Sequence, residues 1–349
     1  MLNGVDGKMA VLYIKEQGAY VQKQGECITV TKGGKQLFKI PLIKIDNISL
    51  IGNVQITSQA LQILLKKGID VHFFSYSGEY LGRMAAESSK NIFLRFEQYG
   101  FYLQMNRRLD MAKIIIDNKI HNQMNLICRH RWNNSDYDWK RDVAKMEYYL
   151  SLLPEKNTSN EILGIEGICS NIYFSAFGHM LKCDFTFSGR NRRPPKDPVN
   201  VLISLTYTFL TKEVSSALDA ESFEAYLGFL HGIRYGRKSL ALDMMEEFRQ
   251  PVADRLVMLL FNKRIIGKYD FDYPENDKII LNEEGFRKFC VEYEKWMDGR
   301  NTASGEKSFR RIIQNQANKL KKAIMQKKDY VPYRWKEDGD VHCQLRYQQ

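Results

Sequence analysis

The hydrophobic pattern of this 349-residue chain changes once, near Glu87 to Lys90. Before this point, short stretches such as VLYIK, CITVTK and QLFKIPL alternate in polarity or carry β-branched and aromatic residues, with turn signals between them. From Asn91 almost to the end, apolar residues recur at helical spacing. The sequence therefore predicts an α+β protein with a small N-terminal β-sheet domain, residues 1–88, and a larger all-α domain, residues 89–349.

The N-terminal strands are expected to form a meander or a small sandwich, because they are short and closely spaced. One helix interrupts them. Thr57 or Ser58 can cap the segment TSQALQILLKK, and Gly68 can end it. His72 lies in an apolar strand, where a hydrogen-bonded core histidine is the favoured interpretation.

The net charge of the chain is +11, which favours polyanionic partners, although a merely basic protein is an equal alternative. No apolar run is long enough to span a bilayer, and the start, MLNGVDGKMA, lacks a signal pattern. Six cysteines are spread singly, with no CxxC pair. We therefore expect a cytoplasmic protein with no membrane partner, whose cysteines are core residues.

The first candidate site residue, Glu166, lies in a predicted helix, where Thr158 and Glu161 fit a capping box. On a helical wheel, Glu166 falls within the apolar arc of this helix. A carboxylate on an apolar face is costly unless it is paired, protonated or bound to a metal. Pairing with a buried arginine and binding of a metal ion are the two interpretations that the sequence leaves open.

The loop that follows, GRNRRPPK, is basic and stiffened by two prolines. Arg190, Arg192 and Arg193 are its candidate phosphate contacts, although such loops are about as often simply solvated. Asp197 and Pro198 suit the start of the next long helix.

A histidine, a basic turn and several carboxylates follow each other between Leu230 and Asp254. Asp219 is expected to cap a helix, AESFEAYLGFLHG, that carries His231 near its C-terminus. The glycine-rich turn contains Arg237 and Lys238, which can offset charge on a phosphate.

Ser239 is expected to cap a further helix that carries Asp243, Glu246 and Glu247. The two glutamates diverge by about 100°, so at most one of them can face a given site.

Glu166, His231 and Glu246 together provide two carboxylates and one imidazole, a ligand set that suits Mg²⁺ or Mn²⁺. Such an ion, held by three protein groups, keeps positions for a phosphodiester oxygen and a nucleophile. Asp243 is expected to support these ligands without binding the ion. A final helix with eight basic residues and one acid, EKSFRRIIQNQANKLKKAIMQKK, is predicted to lie on nucleic acid, and the tail after it to be loosely ordered.

Three segments together resemble one known family, the CRISPR-associated integrases called CRISPR-associated protein one. They are GIEG with the aromatic helix after it, GRNRRPPKDPVNVLISLTY, and GFLHG followed by GRKSLALDMMEEFRQPVADRLV. The resemblance implies that Glu166, His231 and Glu246 are the catalytic metal ligands, with Glu247 as the alternative third ligand.

The resemblance also implies a homodimer formed through the β domains and a small ferredoxin-like partner, CRISPR-associated protein two. The assembly would capture a short DNA duplex and insert it into a repeat array by transesterification. The alternatives are a stand-alone metal-dependent nuclease for branched DNA, a transposon-borne relative, and a non-catalytic scaffold that holds DNA.

Overall fold

The computed structural model describes residues 10–85, 91–130, 136–191, 194–274, 279–299 and 308–335. The chain divides into two compact units, residues 1–88 and 89–349, and each is described separately. No helix in the described ranges is both long and apolar enough to cross a membrane.

The N-terminal unit contains eight strands, one α-helix and a short 3-10 helix, Leu42–Lys44, within its described residues. The elements are β1 (Ala10–Ile14), β2 (Tyr20–Gln24), β3 (Cys27–Lys32), β4 (Lys35–Pro41), β5 (Ile45–Ile51), β6 (Gln55–Ile56), α1 (Ser58–Lys66), β7 (Asp70–Phe74) and β8 (Tyr80–Met84). They form two four-stranded sheets, in the orders β1-β5-β7-β8 and β4-β3-β2-β6.

The pairing of these strands differs from a simple meander. Only β2-β3-β4 and β7-β8 are antiparallel neighbours, whereas β1 pairs with β5, β5 with β7 and β2 with β6 in parallel. Parallel neighbours require a crossover connection, and α1 provides it between β5 and β7. Both sheets and α1 contribute to a single buried core, in which Leu12, Ile28, Val30, Ile48 and Leu64 lie.

Local sequence signals in this unit are confirmed. Thr57 caps α1, because its side chain accepts a hydrogen bond from the Ala60 amide at 3.3 Å. Gly68 follows the helix with φ of 71°, a conformation that glycine adopts without strain. His72 is buried in β7, and its Nδ1 lies 3.4 Å from the Tyr80 hydroxyl, as expected of a core histidine.

The C-terminal unit is mostly helical, as predicted. Its helices are α2 (Ile92–Leu103), α3 (Met105–His130), α4 (Trp139–Ser151), α5 (Ser159–Met180), α6 (Pro198–Ala220), α7 (Ser239–Met245), α8 (Arg255–Asn262), α9 (Glu283–Asp298) and α10 (Phe309–Gln326). A two-stranded hairpin of β9 (Phe271–Asp272) and β10 (Ile280–Leu281) precedes α9. The helices α3 and α5 pack against each other and carry part of the site described below.

The predicted start signals of α5 and α6 are present. The Thr158 hydroxyl oxygen accepts a hydrogen bond from the Glu161 amide at 3.3 Å, and the Glu161 carboxylate accepts one from the Asn157 amide at 3.2 Å. Asp197 caps α6 by accepting from the Asn200 amide at 2.8 Å.

The predicted helix between Asp219 and His231 is wrong. Asp219 lies inside α6, which ends at Ala220, and residues 221–238 are irregular. Ser222 turns the chain with φ of 75°. The helix fails because the amides at its expected end donate to the carboxylate of Asp243 instead of to helical carbonyls. His231 therefore does not lie at the C-terminus of a helix.

The predicted helix after the basic turn is shorter than expected. Ser239 is the first residue of α7 and not its cap, and its hydroxyl donates to the Gly232 carbonyl at 3.1 Å. The helix ends at Met245, so Glu246 stands at its C-terminal end. A π-helical turn, Arg249–Asp254, contains Pro251 and leads into α8.

The end of the described chain is more ordered than the sequence suggested. Tyr330 and Trp335 are buried, and the Trp335 amide donates to Asn122 Oδ1 at 3.0 Å. Residues 336–349 lie outside the described residues. Cys128, Cys169 and Cys290 are buried, as expected, whereas Cys27 and Cys183 are only half-buried and Cys343 lies outside the described residues.

Part of the basic character of α10 is neutralised within the protein. Arg310 pairs with Glu213 at 3.1 Å, Glu294 at 2.9 Å and Asp298 at 2.8 Å. Burial raises the pKa of Glu213, but the charges of Arg310 and Lys212 and the Arg310 hydrogen bond together lower it more, so the net shift is downward. This ion cluster therefore ties α10 to α6 and α9.

We predict that Arg310→Ala lowers the free energy of unfolding by about 3 kcal/mol, because it removes the cation that contacts the largely buried Glu213 carboxylate. Urea denaturation measures this change. Arg311→Ala is the matched control: Arg311 is exposed on the same helix, and a change within about 0.5 kcal/mol is expected. Equal effects of the two substitutions would contradict the structural role of the cluster.

Candidate metal centre

Glu166 is held on the apolar face of α5 by a lysine from α3. Lys119 Nζ donates to Glu166 Oε1, and the Ser170 hydroxyl donates to the same oxygen at 2.8 Å. Burial raises the pKa of Glu166, but the Lys119 ammonium outweighs burial and the net pKa is lowered. Of the two interpretations of this carboxylate, pairing with a cation is therefore observed, although the cation is a lysine and not an arginine.

Glu246 brings a second carboxylate to the same ammonium. Its Oε2 lies 2.7 Å from Lys119 Nζ and 2.8 Å from Arg249 Nε. Only 3% of the residue is exposed. Burial raises its pKa, but Arg249 and then Lys119 outweigh burial and lower the pKa to about 2. Glu166 and Glu246 are thus two ionised carboxylates from separate helices that meet at one cationic group.

His231 is oriented by Asp243. Its Nδ1 lies 2.6 Å from Asp243 Oδ1, and the His231 amide donates to the same oxygen at 3.0 Å. The amides of Phe229 and Leu230 donate to Asp243 Oδ2 at 2.5 and 2.9 Å. Because a carboxylate only accepts hydrogen bonds, the neutral ring carries its proton on Nδ1 and keeps the lone pair on Nε2. This is the usual arrangement of a metal-binding histidine.

Glu247 belongs to a different environment from Glu246. Its carboxylate accepts hydrogen bonds from the Tyr330 hydroxyl, the Tyr333 amide at 2.7 Å and Gln316 Nε2 at 3.1 Å. Burial raises the pKa of Glu247 and prevails over these hydrogen bonds. The two neighbouring glutamates therefore diverge, and Glu246 is the one that approaches Glu166.

The donor set fits a divalent ion. Two carboxylates and an imidazole supply the oxygen and nitrogen ligands that Mn²⁺ and Mg²⁺ accept. Glu246 Oε2 is buried and makes no hydrogen bond of good geometry within the described residues, although two cations lie near it. The lone pairs of this oxygen are therefore available to a ligand. The ammonium of Lys119 occupies the position between the two carboxylates where a metal ion would lie.

As the side chains lie, no three His, Cys, Asp or Glu groups in the described ranges are arranged around a common metal position. The Lys119 ammonium contacts both Glu166 and Glu246, so it takes the place that an ion shared by these two carboxylates would need. Binding of an ion by these carboxylates therefore requires a local rearrangement of Lys119.

The predicted phosphate contacts have mixed outcomes. Arg190 donates to Asn200 Oδ1 at 2.7 Å and to Ser204 Oγ at 3.0 Å, and its guanidinium lies 5.6 Å from the centre of the Tyr207 ring. These hydrogen bonds connect the loop to α6, so the Arg190 guanidinium is used for contacts within the protein. Arg192 and Arg193 lie outside the described residues.

In the basic turn, Arg237 Nη2 donates to the Gly232 carbonyl, and Arg237 Nε donates to Ser239 Oγ at 3.3 Å. Arg237 therefore holds the turn closed. Lys238 is half-buried at the start of α7, whereas Tyr235 at the tip of the turn is fully exposed.

Lys119 and Arg249 are the site residues that sequence reasoning missed. A signal for Lys119 was present, because it lies three and four residues after Ile116 and Ile115 and so shares the buried face of α3. Arg249 follows Glu246 by three residues, a spacing that favours an ion pair.

Comparisons with known proteins identify the family. The family model described as CRISPR associated protein Cas1 matches residues 12–295. The CRISPR-associated endonuclease Cas1 3 of Thermus thermophilus is 35% identical over 325 residues, which cover 91% of this chain and 95% of that protein. The fold and these matches define a CRISPR-associated protein of the nuclease class. The chain belongs to the Cas1 family, and the resemblance found in the sequence is confirmed.

Solved structures of the family share the fold. A CAS1 protein from Thermotoga maritima matches with a TM-score of 0.80 and 25% identity, covering 93% of this chain and 99% of that one. A chain of a Cas6-RT-Cas1–Cas2 complex matches with a TM-score of 0.79 and 25% identity. That match covers 97% of this chain and 37% of the longer chain.

We predict that Gly228→Ala disturbs the loop that presents His231, because an added Cβ would lie 2.6 Å from Asp243 Oδ2 and 2.7 Å from the Ser239 carbonyl carbon. The expected loss is about 1–3 kcal/mol of unfolding free energy, measured by urea denaturation. Gly232→Ala is the matched control, since nothing lies within 4 Å of its added Cβ. An equally large loss for Gly232→Ala would show that the loop is sensitive for another reason.

Proposed function

We propose that the chain is a metal-dependent DNA endonuclease and integrase of CRISPR adaptation. The observation that carries this proposal is the meeting of Glu166 and Glu246, from separate helices, at one cationic group, with His231 oriented by Asp243. Membership of the Cas1 family and the 35% identity to a protein named as an endonuclease support it.

The proposed ligands of a Mg²⁺ or Mn²⁺ ion are Glu166, Glu246 and His231 through Nε2. When bound, the ion lowers the pKa of a coordinated nucleophile and offsets charge on the phosphodiester. Asp243 keeps the proton on His231 Nδ1, so that the other nitrogen can bind. Arg249 stabilises the ionised form of Glu246 and keeps it positioned.

The proposed reaction exchanges one phosphodiester for another. The 3′-hydroxyl oxygen of a captured duplex forms a bond to phosphorus at the edge of a repeat, and the bond from phosphorus to the original sugar oxygen breaks. The attacking hydroxyl loses its proton and the leaving oxygen gains one. With water as the nucleophile, the same site hydrolyses the strand.

The proposed partners are double-stranded DNA, a second copy of the chain and CRISPR-associated protein two. The net charge of +11 supports a polyanionic partner, and the match to a chain of a Cas6-RT-Cas1–Cas2 complex supports the small protein partner. Dimerisation through the N-terminal unit rests on the family resemblance. A stand-alone nuclease for branched DNA remains the alternative, whereas a pure scaffold would not need two ionised carboxylates held at one cation and a histidine oriented by a buried aspartate.

We predict that Glu166→Gln, His231→Ala and Glu246→Gln each reduce Mn²⁺-dependent joining of a short duplex to a supercoiled repeat plasmid by more than about 100-fold. His231→Ala removes a proposed ligand, and the two Glu→Gln changes remove the negative charge of the other two. The joined product is measured on agarose gels after incubation with the small partner protein, and circular dichroism confirms folding.

Glu247→Gln is the matched control for Glu246→Gln, because the same chemical change is made one residue away in a carboxylate bound to Tyr330 and Tyr333. It should retain joining. If Glu247→Gln alone abolishes joining, the assignment of the third ligand is wrong.

We also predict that the exposed cations of α10 contribute to DNA binding. Arg311, Lys319 and Lys322 are exposed on this helix. Changing all three to Ala should reduce the slope of log K against log salt concentration by about 0.9 for each phosphate that these side chains neutralise. Fluorescence anisotropy over a salt series measures the slope. The control is a variant of the N-terminal unit that loses the same charge, with Lys23, Lys35 and Lys39 changed to Ala. This variant should leave the slope nearly unchanged. Equal slopes for the two variants would argue against DNA binding by α10.

A further inference from the structure

Lys119 is the most deeply enclosed cation at the candidate metal centre. It lies on α3 with 4% of its surface exposed. Its Nζ contacts Glu166 Oε1 on α5 and lies 2.7 Å from Glu246 Oε2 at the end of α7. One ammonium group therefore joins three separate parts of the helical unit.

Two carboxylates that contact the same nitrogen are close enough to repel each other strongly in a buried site. Without a cation between them, one carboxylate would have to move away. The ammonium of Lys119 offsets this repulsion, so Glu166 and Glu246 stay together before any metal ion binds.

The same contacts make Lys119 a competitor of a divalent ion. An ion bound by Glu166 Oε1 and Glu246 Oε2 would use the two oxygens that Lys119 now contacts. Arg249 differs, because it forms its ion pair with Glu246, three residues away on the same stretch of chain, and does not bridge the two carboxylates. Lys119 is therefore the cation that must give way, while Arg249 can remain on Glu246.

We propose that Lys119 is a positioning residue that serves as a built-in counter-cation: it preassembles Glu166 and Glu246 as a cation site and weakens metal affinity by competing for them. The inference rests on the proposed metal-dependent function and adds to it a residue that sets how tightly the ion is held. Lys119 thereby keeps the site intact without metal and makes metal binding reversible.

The test is Mn²⁺ binding by the full chain in the absence of DNA, measured by isothermal titration calorimetry and by electron paramagnetic resonance of free Mn²⁺. Lys119→Met removes the charge and keeps an unbranched side chain. It should bind Mn²⁺ about tenfold or more tightly than the unchanged protein, since the ion no longer displaces a charge-assisted hydrogen bond. Lys119→Arg keeps the charge and should bind no more tightly than the unchanged protein.

Lys113→Met is the matched control for net charge, because Lys113 lies on the same helix and donates to the Pro154 carbonyl away from the site. Its Mn²⁺ affinity should not change. A thermal melt provides a second readout: in EDTA the Lys119→Met protein should melt below the unchanged protein, and Mn²⁺ should raise its melting temperature by the larger amount.

Each result separates the inference from the proposed function. If the unchanged protein binds Mn²⁺ and Lys119→Met binds equally or more weakly, the counter-cation role is overturned and the metal site stands. If neither binds Mn²⁺, the metal site itself is overturned, and the inference with it. Should Lys119→Met be unfolded in EDTA, recovery of its helical circular dichroism on adding Mn²⁺ supports the inference, and failure to recover at saturating Mn²⁺ overturns it.

Discussion

Burying an ionised carboxylate in a helical core requires compensation, and the helical unit is arranged around this requirement. Glu246 is compensated by Lys119 and Arg249, which join α3, α5 and the end of α7. Asp243 is compensated by three backbone amides and the ring of His231. The ion pairs of Glu246 and the hydrogen bonds of Asp243 each hold a different segment of the chain against the short helix α7. Charged and polar contacts, as well as apolar ones, therefore set the packing around the site.

Two departures from regular structure follow from these carboxylates. Within the irregular segment 221–238, the amides of Phe229, Leu230 and His231 donate to Asp243, whereas a helix would have used the same amides for its own carbonyls. The segment before the C-terminus is ordered because Glu247 accepts from the Tyr330 hydroxyl and the Tyr333 amide. In both places a buried acceptor selects the conformation of a distant segment.

Asp254 is a second buried carboxyl group in this unit, and its pKa is shifted in the opposite direction from that of Glu246. Asp254 accepts hydrogen bonds from the Tyr173 and Tyr207 hydroxyls at 2.7 and 2.8 Å. Burial nevertheless prevails and raises its pKa to about 6, whereas two cations lower the pKa of Glu246 to about 2. The difference is one of contact: Glu246 Oε2 lies against the cationic groups of Lys119 and Arg249, whereas Asp254 is hydrogen-bonded to neutral hydroxyls and the charges of Arg249 and Arg190 lower its pKa less than burial raises it. Of these two buried carboxyl groups, Glu246 is therefore the one that is ionised and in contact with cations.

The sequence by itself determined the α+β class, the helix starts at Thr57, Thr158 and Asp197, and the candidate residues Glu166 and His231. These features depend on periodicity, caps and short motifs, which are local. Only the tertiary structure decided that residues 221–238 are not helical, that Glu246 rather than Glu247 approaches Glu166, and that a lysine from α3 joins them. The reason is physical: a buried charge is compensated by whichever groups the fold brings near it, and those groups are distant in sequence.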